Sequence, residues 1–326
     1  MSAISELWQL ITSPPNTNSL SAPEWTRLVA LTEAHGVAPL LYSKLKNFST
    51  SESYSFPMLK NIEKSYYQSA GHGQVLKGEL DMLGASFDRD GIPWLPLKGA
   101  ALAWTVYPDP ALRPMHDLDL LVQPVDLLRA VRTAQVSGYH LDKLTYHALL
   151  RGGPNNSISL ELHWCLPGAQ PAPSHLFDES NHIRTKLLDS FTYLYCCAHL
   201  VRQHANNPRL IWLYDLHLLH RLFLDRIELL ELSEQLGLSA ELAVVENISI
   251  DNIPSLLKIS MQSKISTEIK SSLSLLPLAA RLRMSSTLLF PSKDYMKWHY
   301  KPKPEWLWPA YYPRRLAERV KREAFR

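Results

Sequence analysis

The stretch "LPLKGAALAWTVYPDPALRPMHDLDLLV", Leu95 to Val122, decides the fold. It opens on a short apolar run closed by Lys98-Gly99 and ends on a second run, "DLDLLV", headed by Asp117 and Asp119. Side chains alternate along a strand, so Asp117 and Asp119 share one face while Leu118, Leu120 and Val122 share the other. Two carboxylates that close repel each other unless solvent or a cation lies between them. An Asp-x-Asp on an exposed strand is also a common solvated pattern, so the pair alone does not establish a metal site.

Outward from this stretch the periodicity changes twice. Toward the N-terminus the chain reads as helical: "SELWQLIT", "EWTRLVALTEAHG" and a long run from about Met58 to Arg89, with Gly71 and Gly73 as candidate interruptions. A polar loop, "NFSTSESYSF", separates the second helix from the third. Toward the C-terminus "VDLLRAVRTAQVSG" is an amphipathic helix closed by glycine, and "YHLDKL", "YHALLR" and "SISLELHW" read as strands. The last two are joined by the turn-forming "GGPNN". After Pro173 helices return to about Leu288, among them "SFTYLYCCAHLVRQH" and "RLIWLYDLHLLHRLF".

The fold class is therefore α+β, a small mixed sheet flanked by an N-terminal helical region and a C-terminal helical bundle. The expected divisions are 1–90, 91–172, 173–290 and an aromatic, basic tail at 291–326.

Alternation in "SISLELHW" puts Ser159, Glu161 and His163 on one face and Ile158, Leu160, Leu162 and Trp164 on the other. Glu161 is then a third carboxylate offered by a second strand. Three acidic groups converging from two strands make an oxygen-rich site suited to Mg²⁺ and triphosphate oxygens together. Lys98-Gly99 ends the preceding strand, where glycine permits close backbone approach to phosphate. Arg113 reads either as a charge clamp for triphosphate or as a salt-bridge partner of Asp109 or Asp117. His163, beside Trp164, reads as structural. His199 and His204 lie five apart and are expected to diverge on a helix. Arg202 and Asp215 sit on helices that can close over the site, with an interhelical ion pair as the simpler role.

Composition bounds the rest. A chain of 326 residues, 46% of them hydrophobic, can bury a sizeable core, and its length favours two packed units over one. No window approaches the roughly twenty apolar residues of a membrane span, and "MSAISELWQL" lacks the regions of a signal peptide, so a cytoplasmic location is expected. Cys165, Cys196 and Cys197 match neither a disulfide framework nor a zinc pattern and are expected as reduced thiols. Of the net +3, residues Tyr311 to Arg326 carry +4 and the rest −1, so the basic character is local.

The run from Lys98 to Val122, with "SGYH", "LELHW" and "YLYCCAHLVRQHANNPRLIWLYDLHLLH" after it, closely resembles the uncharacterised nucleotidyltransferase family of bacteria, a branch of the polymerase-beta-like superfamily. The resemblance covers roughly Leu80 to Phe223. It implies transfer of a nucleoside monophosphate from a nucleoside triphosphate to an acceptor, with Mg²⁺ or Mn²⁺ as cofactor. Carried over, Asp117, Asp119 and Glu161 are the metal ligands and catalytic carboxylates, and Lys98, Gly99 and Arg113 the nucleotide contacts. Lys98-Gly99 followed by Ala100 replaces the superfamily's Gly-Ser turn. The acceptor, whether peptide, sugar or RNA, is not readable. A non-catalytic binding protein in a peptide- or polysaccharide-maturation pathway and a toxin-like enzyme modifying transfer RNA are the alternatives. The basic tail is expected either to pack or to recruit an anionic acceptor.

Overall fold

The computed structural model describes residues 3–13, 21–46, 56–153, 156–168, 171–177, 184–204, 207–221, 225–248, 271–290 and 293–324. The expected polar loop lies almost wholly outside these residues.

Three helices lead in: α1 (Ala3–Thr12), α2 (Ala22–His35) and α3 (Ala38–Leu45). A capping box starts α2, where the Glu24 carboxylate accepts from both the backbone amide and the hydroxyl of Ser21 at 2.7 and 2.6 Å. Gly36, at φ +69°, ends it in the left-handed conformation that favours glycine. Helix α4 (Phe56–Arg89) then runs unbroken through Gly71 and Gly73. Each glycine costs roughly 1 kcal/mol of helix propensity. Burial of the stripe Leu76, Leu80, Leu83 and Phe87 outweighs that cost.

The five strands are β1 (Trp94–Pro96), β2 (Asp117–Val122), β3 (His140–Leu144), β4 (His147–Gly152) and β5 (Ile158–His163). They form one mixed sheet in the order β1-β2-β5-β4-β3, with β2 and β5 parallel and every other pair antiparallel. The five-residue helix α5 (Lys98–Leu102) follows β1, and α6 (Leu127–Val136) connects β2 to β3. The expected α+β architecture is what the chain adopts.

One face of the sheet is apolar. Leu118, Leu120, Ala148, Leu150, Ile158, Leu160, Leu162 and Trp164 pack there against α4 and α6, all fully buried. Residues 271–276 return to the same core, and the Trp164 indole donates to the Ser272 carbonyl at 2.8 Å.

The other face meets the helical half: α7 (Arg184–Ala198), a π-helical turn (His199–Gln203), α8 (Leu210–His220), α9 (Arg226–Gln235) and α10 (Ser239–Glu246). Leu95, Leu97 and Leu121 share a second core with Leu7, Trp25 and Leu41 from the N-terminal helices and Tyr193, Leu194 and Leu213 from the helical half. Helices before and after the sheet are thus cemented together over its carboxylate face.

Cys165, Cys196 and Cys197 are buried free thiols, as expected. Helices α11 (Leu278–Leu289), α12 (Lys293–Tyr300) and α13 (Tyr312–Ala324) complete the described chain. In the tail Arg314 pairs with Glu318 at 2.9 Å and lies over the Tyr300 ring, while Trp306 remains 72% exposed. The Trp298 side chain lies outside the described residues. No described helix is long and apolar enough to cross a membrane.

Candidate active site

Strand register builds the site. In the parallel β2–β5 pair Asp119 stands opposite Glu161 and Asp117 opposite Ser159; in the antiparallel β4–β5 pair His147 stands opposite His163. Period-two alternation then delivers all of these except Ser159 to one cavity of about 320 Å³, excepting also the fully sheltered His163 behind it. The cavity is closed on the far side by His199, Gln203, His204, Arg209 and Trp212 from the helical half, with Lys98, Gly99 and Arg113 along its edge. A larger cavity, about 530 Å³ and lined by Trp8, Tyr193 and His217 among others, shares no lining residue with it.

Asp119 is the buried anchor. Lys98 Nζ donates to its Oδ1 at 2.7 Å, and His163 Nε2 lies 2.9 Å from the same oxygen. Burial alone would raise this carboxyl, but Lys98 and His163 together hold it well below the ordinary carboxylate range. Lys98 reaches it from a left-handed backbone at φ +49°, a conformation that costs a non-glycine residue about 1 kcal/mol or more. Gly99 beside it is required by space, since a Cβ there would lie 2.6 Å from the Met115 sulfur.

Asp117 is the opposite case. It makes no hydrogen bond or ion pair among the described residues, and burial, then Asp119 and Glu161, push its carboxyl up to about 6. Glu161 lies between two imidazoles, 3.5 Å from His163 Nε2 and 3.6 Å from His147 Nε2. Burial opposes its ionisation, yet the His163 contact leaves its pKa below the usual value. Burial lowers His147 to about 4, so it is a neutral imidazole at physiological pH, and its Nδ1 is buried without a partner. His147, Glu161 and His163 each offer one ligand atom within 4.8 Å of the others. A carboxylate with no counter-cation beside a His-Glu-His group is a donor set that fits a divalent ion.

Arg113 touches neither Asp109 nor Asp117. Its Nε and Nη2 donate to the two carboxylate oxygens of Asp215, each at 2.8 Å, and Tyr107 donates to Oδ1 at 2.7 Å. Asp215 is 3% exposed and Arg113 6%, so this bidentate pair is a buried clasp between the β1–β2 connection and α8. Arg202 pairs with Glu241 at 2.7 Å and also donates to the Pro167 carbonyl. Arg202 and Asp215 therefore each form an ion pair, though not with each other.

Two histidine expectations are corrected. His163 is adjacent to Trp164 in sequence but points to the opposite face and bonds Asp119, so it belongs to the site. His199 and His204 do not diverge: their ring centroids are 4.5 Å apart, and His204 lies 4.1 Å from the Trp212 ring. The cause is the π-turn, whose i→i+5 bonding brings residues five apart into neighbouring positions. His147, Arg209 and Trp212 were not singled out by sequence. Antiparallel register with "SISLELHW" carries the signal for His147; nothing local marks Arg209 or Trp212.

A family model described as "Uncharacterised nucleotidyltransferase" matches residues 21–245. No curated protein and no solved structure matches the chain.

Proposed function

Since the chain belongs to the uncharacterised nucleotidyltransferase family, we propose that it moves a nucleoside monophosphate from a nucleoside triphosphate to an acceptor hydroxyl or phosphate, releasing pyrophosphate. The observation that carries this reading is Asp117: a carboxylate without a cation, crowded by Asp119 and Glu161 in a cavity that also holds Lys98. Ionisation of such a group is disfavoured by its surroundings, and positive charge arriving with the substrate would relieve that cost.

Asp117, Asp119 and Glu161 would hold Mg²⁺ or Mn²⁺, with His147 and His163 beside Glu161. Bound there, the ion would neutralise phosphate oxygens and lower the pKa of an acceptor hydroxyl. The chain's own residues do the rest. Lys98 fixes Asp119 and places an ammonium where phosphate charge gathers. Glu161, kept ionised at neutral pH and oriented by His163, accepts the acceptor's proton as its oxygen bonds the α-phosphorus and the bond to the bridging oxygen of pyrophosphate breaks. The Arg113–Asp215 clasp holds the helical wall against the carboxylate wall, and through it the cavity's width. Gly99 lines the edge beside Lys98, where the triphosphate would pass.

The acceptor would enter from the helical side. The tail, with Trp306 and Arg314 exposed, would be where an anionic acceptor such as RNA or a lipid-linked sugar is recruited, while Arg315 is buried. One contact favours a second, non-catalytic reading: Lys98 already satisfies Asp119, as it would in a protein that binds nucleotide without turnover.

The test incubates the protein and host-cell extract with each α-labelled triphosphate and Mg²⁺ or Mn²⁺, and identifies what acquires label. Transfer by the wild type and none by Asp117→Asn supports catalysis. Metal-dependent triphosphate binding without transfer to any component selects the non-catalytic reading.

A further inference from the structure

Beside the carboxylate-lined cavity lies a second of about 460 Å³, walled by α2, α4 and the Pro114–His116 segment. The two cavities share Pro114, Met115, His116 and Arg209, so Arg209 stands on their common wall. Around the second cavity three polar atoms are buried with no hydrogen-bond partner among the described residues: Ser69 Oγ, His72 Nε2 and Arg209 Nε. Such groups are costly to bury when left unpaired, and more so when charged. Ser69 and His72 come from α4 and Arg209 from the start of α8, so one cavity lined by all three suits a ligand that accepts hydrogen bonds.

Among the described residues Arg209 also has no ion-pair partner. The groups that sense it are Arg113 and the imidazoles of His35, His116 and His204, each of the three held below the usual histidine range first by burial; no carboxylate is among them. Glu33 lines the second cavity, but the Ser65 hydroxyl donates to it. The C-terminus of α2 offers at most about half an elementary charge. The guanidinium packs over Gly36, where a Cβ would lie 2.6 Å from Arg209 Nη2. Trp212 backs it, with the guanidinium carbon 5.7 Å from the ring centroid. Arg113 is neutralised by Asp215 on both oxygens, so among the described residues Arg209 is a cation of this cavity wall with a charge to give.

Resting on the nucleotidyl-transfer reading above, we infer that Arg209, with Ser69 and His72, binds a phosphoryl group of a substrate at the junction of the two cavities. A guanidinium, a hydroxyl and an imidazole N–H are complementary to a tetrahedral oxyanion. That group belongs either to the polyphosphate of the nucleotide or to the acceptor.

The experiment is calorimetry on the full chain in EDTA, with inorganic tripolyphosphate and inorganic phosphate as probes. The wild type binds tripolyphosphate, Arg209→Gln binds it at least about 10-fold more weakly, and Arg209→Lys, which keeps the charge but not the planar fork, falls between the two. Ser69→Ala and His72→Gln each show smaller losses, and thermal melting of every variant confirms that it is folded. If metal-free ATP displaces inorganic phosphate, the group is the nucleotide's; if the two bind together, it is the acceptor's. A wild type that does not bind tripolyphosphate, or an Arg209→Gln variant that binds it unchanged, overturns the site. Arg209-dependent binding with no nucleotidyl transfer under Mg²⁺ or Mn²⁺ refutes the catalytic reading and leaves the site standing. Transfer with an unaltered KM for nucleotide and acceptor in Arg209→Gln does the reverse.

Discussion

Two faces of one sheet, built from alternate residues of the same strands, carry opposite kinds of organisation. On the α4–α6 side Leu118, Leu120, Leu160 and Leu162 are fully buried in an apolar core. One residue along, Asp117, Asp119 and Glu161 face a polar cavity, and only Asp119 has a full complement of partners. The first face is satisfied in the folded chain alone, whereas the second is stable only at some electrostatic cost. A strand can therefore hold a core and a reactive surface at once, provided its register does not slip by one residue.

The largest expected effect separates the two faces. Asp117→Asn should lower nucleotidyl transfer by about 10³-fold or more, because a ligand-bearing charge is lost at the transition state. Thermal denaturation should show no loss of stability, since the charge has no partner to abandon. Full transfer in this variant would break the comparison.

Next comes the seam between the sheet and the helical half. Arg113→Ala leaves Asp215 buried and unpaired, and should destabilise the fold by about 3–5 kcal/mol in denaturant titration. Replacing both residues by apolar ones of similar volume should recover much of that loss. If Arg113→Ala is as stable as wild type, the clasp is not what joins the two parts.

Leu160→Ala on the apolar face should cost about 2–5 kcal/mol, the range for large-to-small changes in a packed core, with residual transfer activity where the variant remains folded. Loss of activity in excess of unfolding would show that the faces are coupled.

The smallest effect is a pH dependence. A carboxyl raised from 3.8 to about 6 makes the folded chain bind its proton more tightly than the unfolded one. Stability in EDTA should accordingly fall, by about 2 kcal/mol, as pH rises from near 4 to above 6, and Asp117→Asn should lack this component. A wild-type and variant difference that is flat over this window would remove the crowding argument.

Much of this was legible in the chain. Alternation in "DLDLLV" and "SISLELHW" put the three carboxylates on strand faces, and the turn-forming "GGPNN" implied that β4 and β5 are antiparallel neighbours. What remained hidden depends on long-range geometry. Nothing near Arg113 in sequence points to Asp215 on α8, so the expected partners Asp109 and Asp117 were local guesses. The π-turn was equally invisible, because the run around His199 to Gln203 has ordinary helical composition while its bonding is set by tertiary packing. Arg209 is marked only by what does not surround it, and such a signal exists in three dimensions alone.

The parallel pairing of β2 with β5 has a consequence for the order of events during synthesis. Asp117 and Asp119 leave the ribosome with β2, but Glu161 arrives only after α6, β3 and β4 have been made. Until β5 docks between β2 and β4, one long edge of β2 lacks its backbone partner, and the carboxylates lack the strand that gathers them. A nascent chain therefore has no gathered carboxylate cluster until this non-local strand contact has closed.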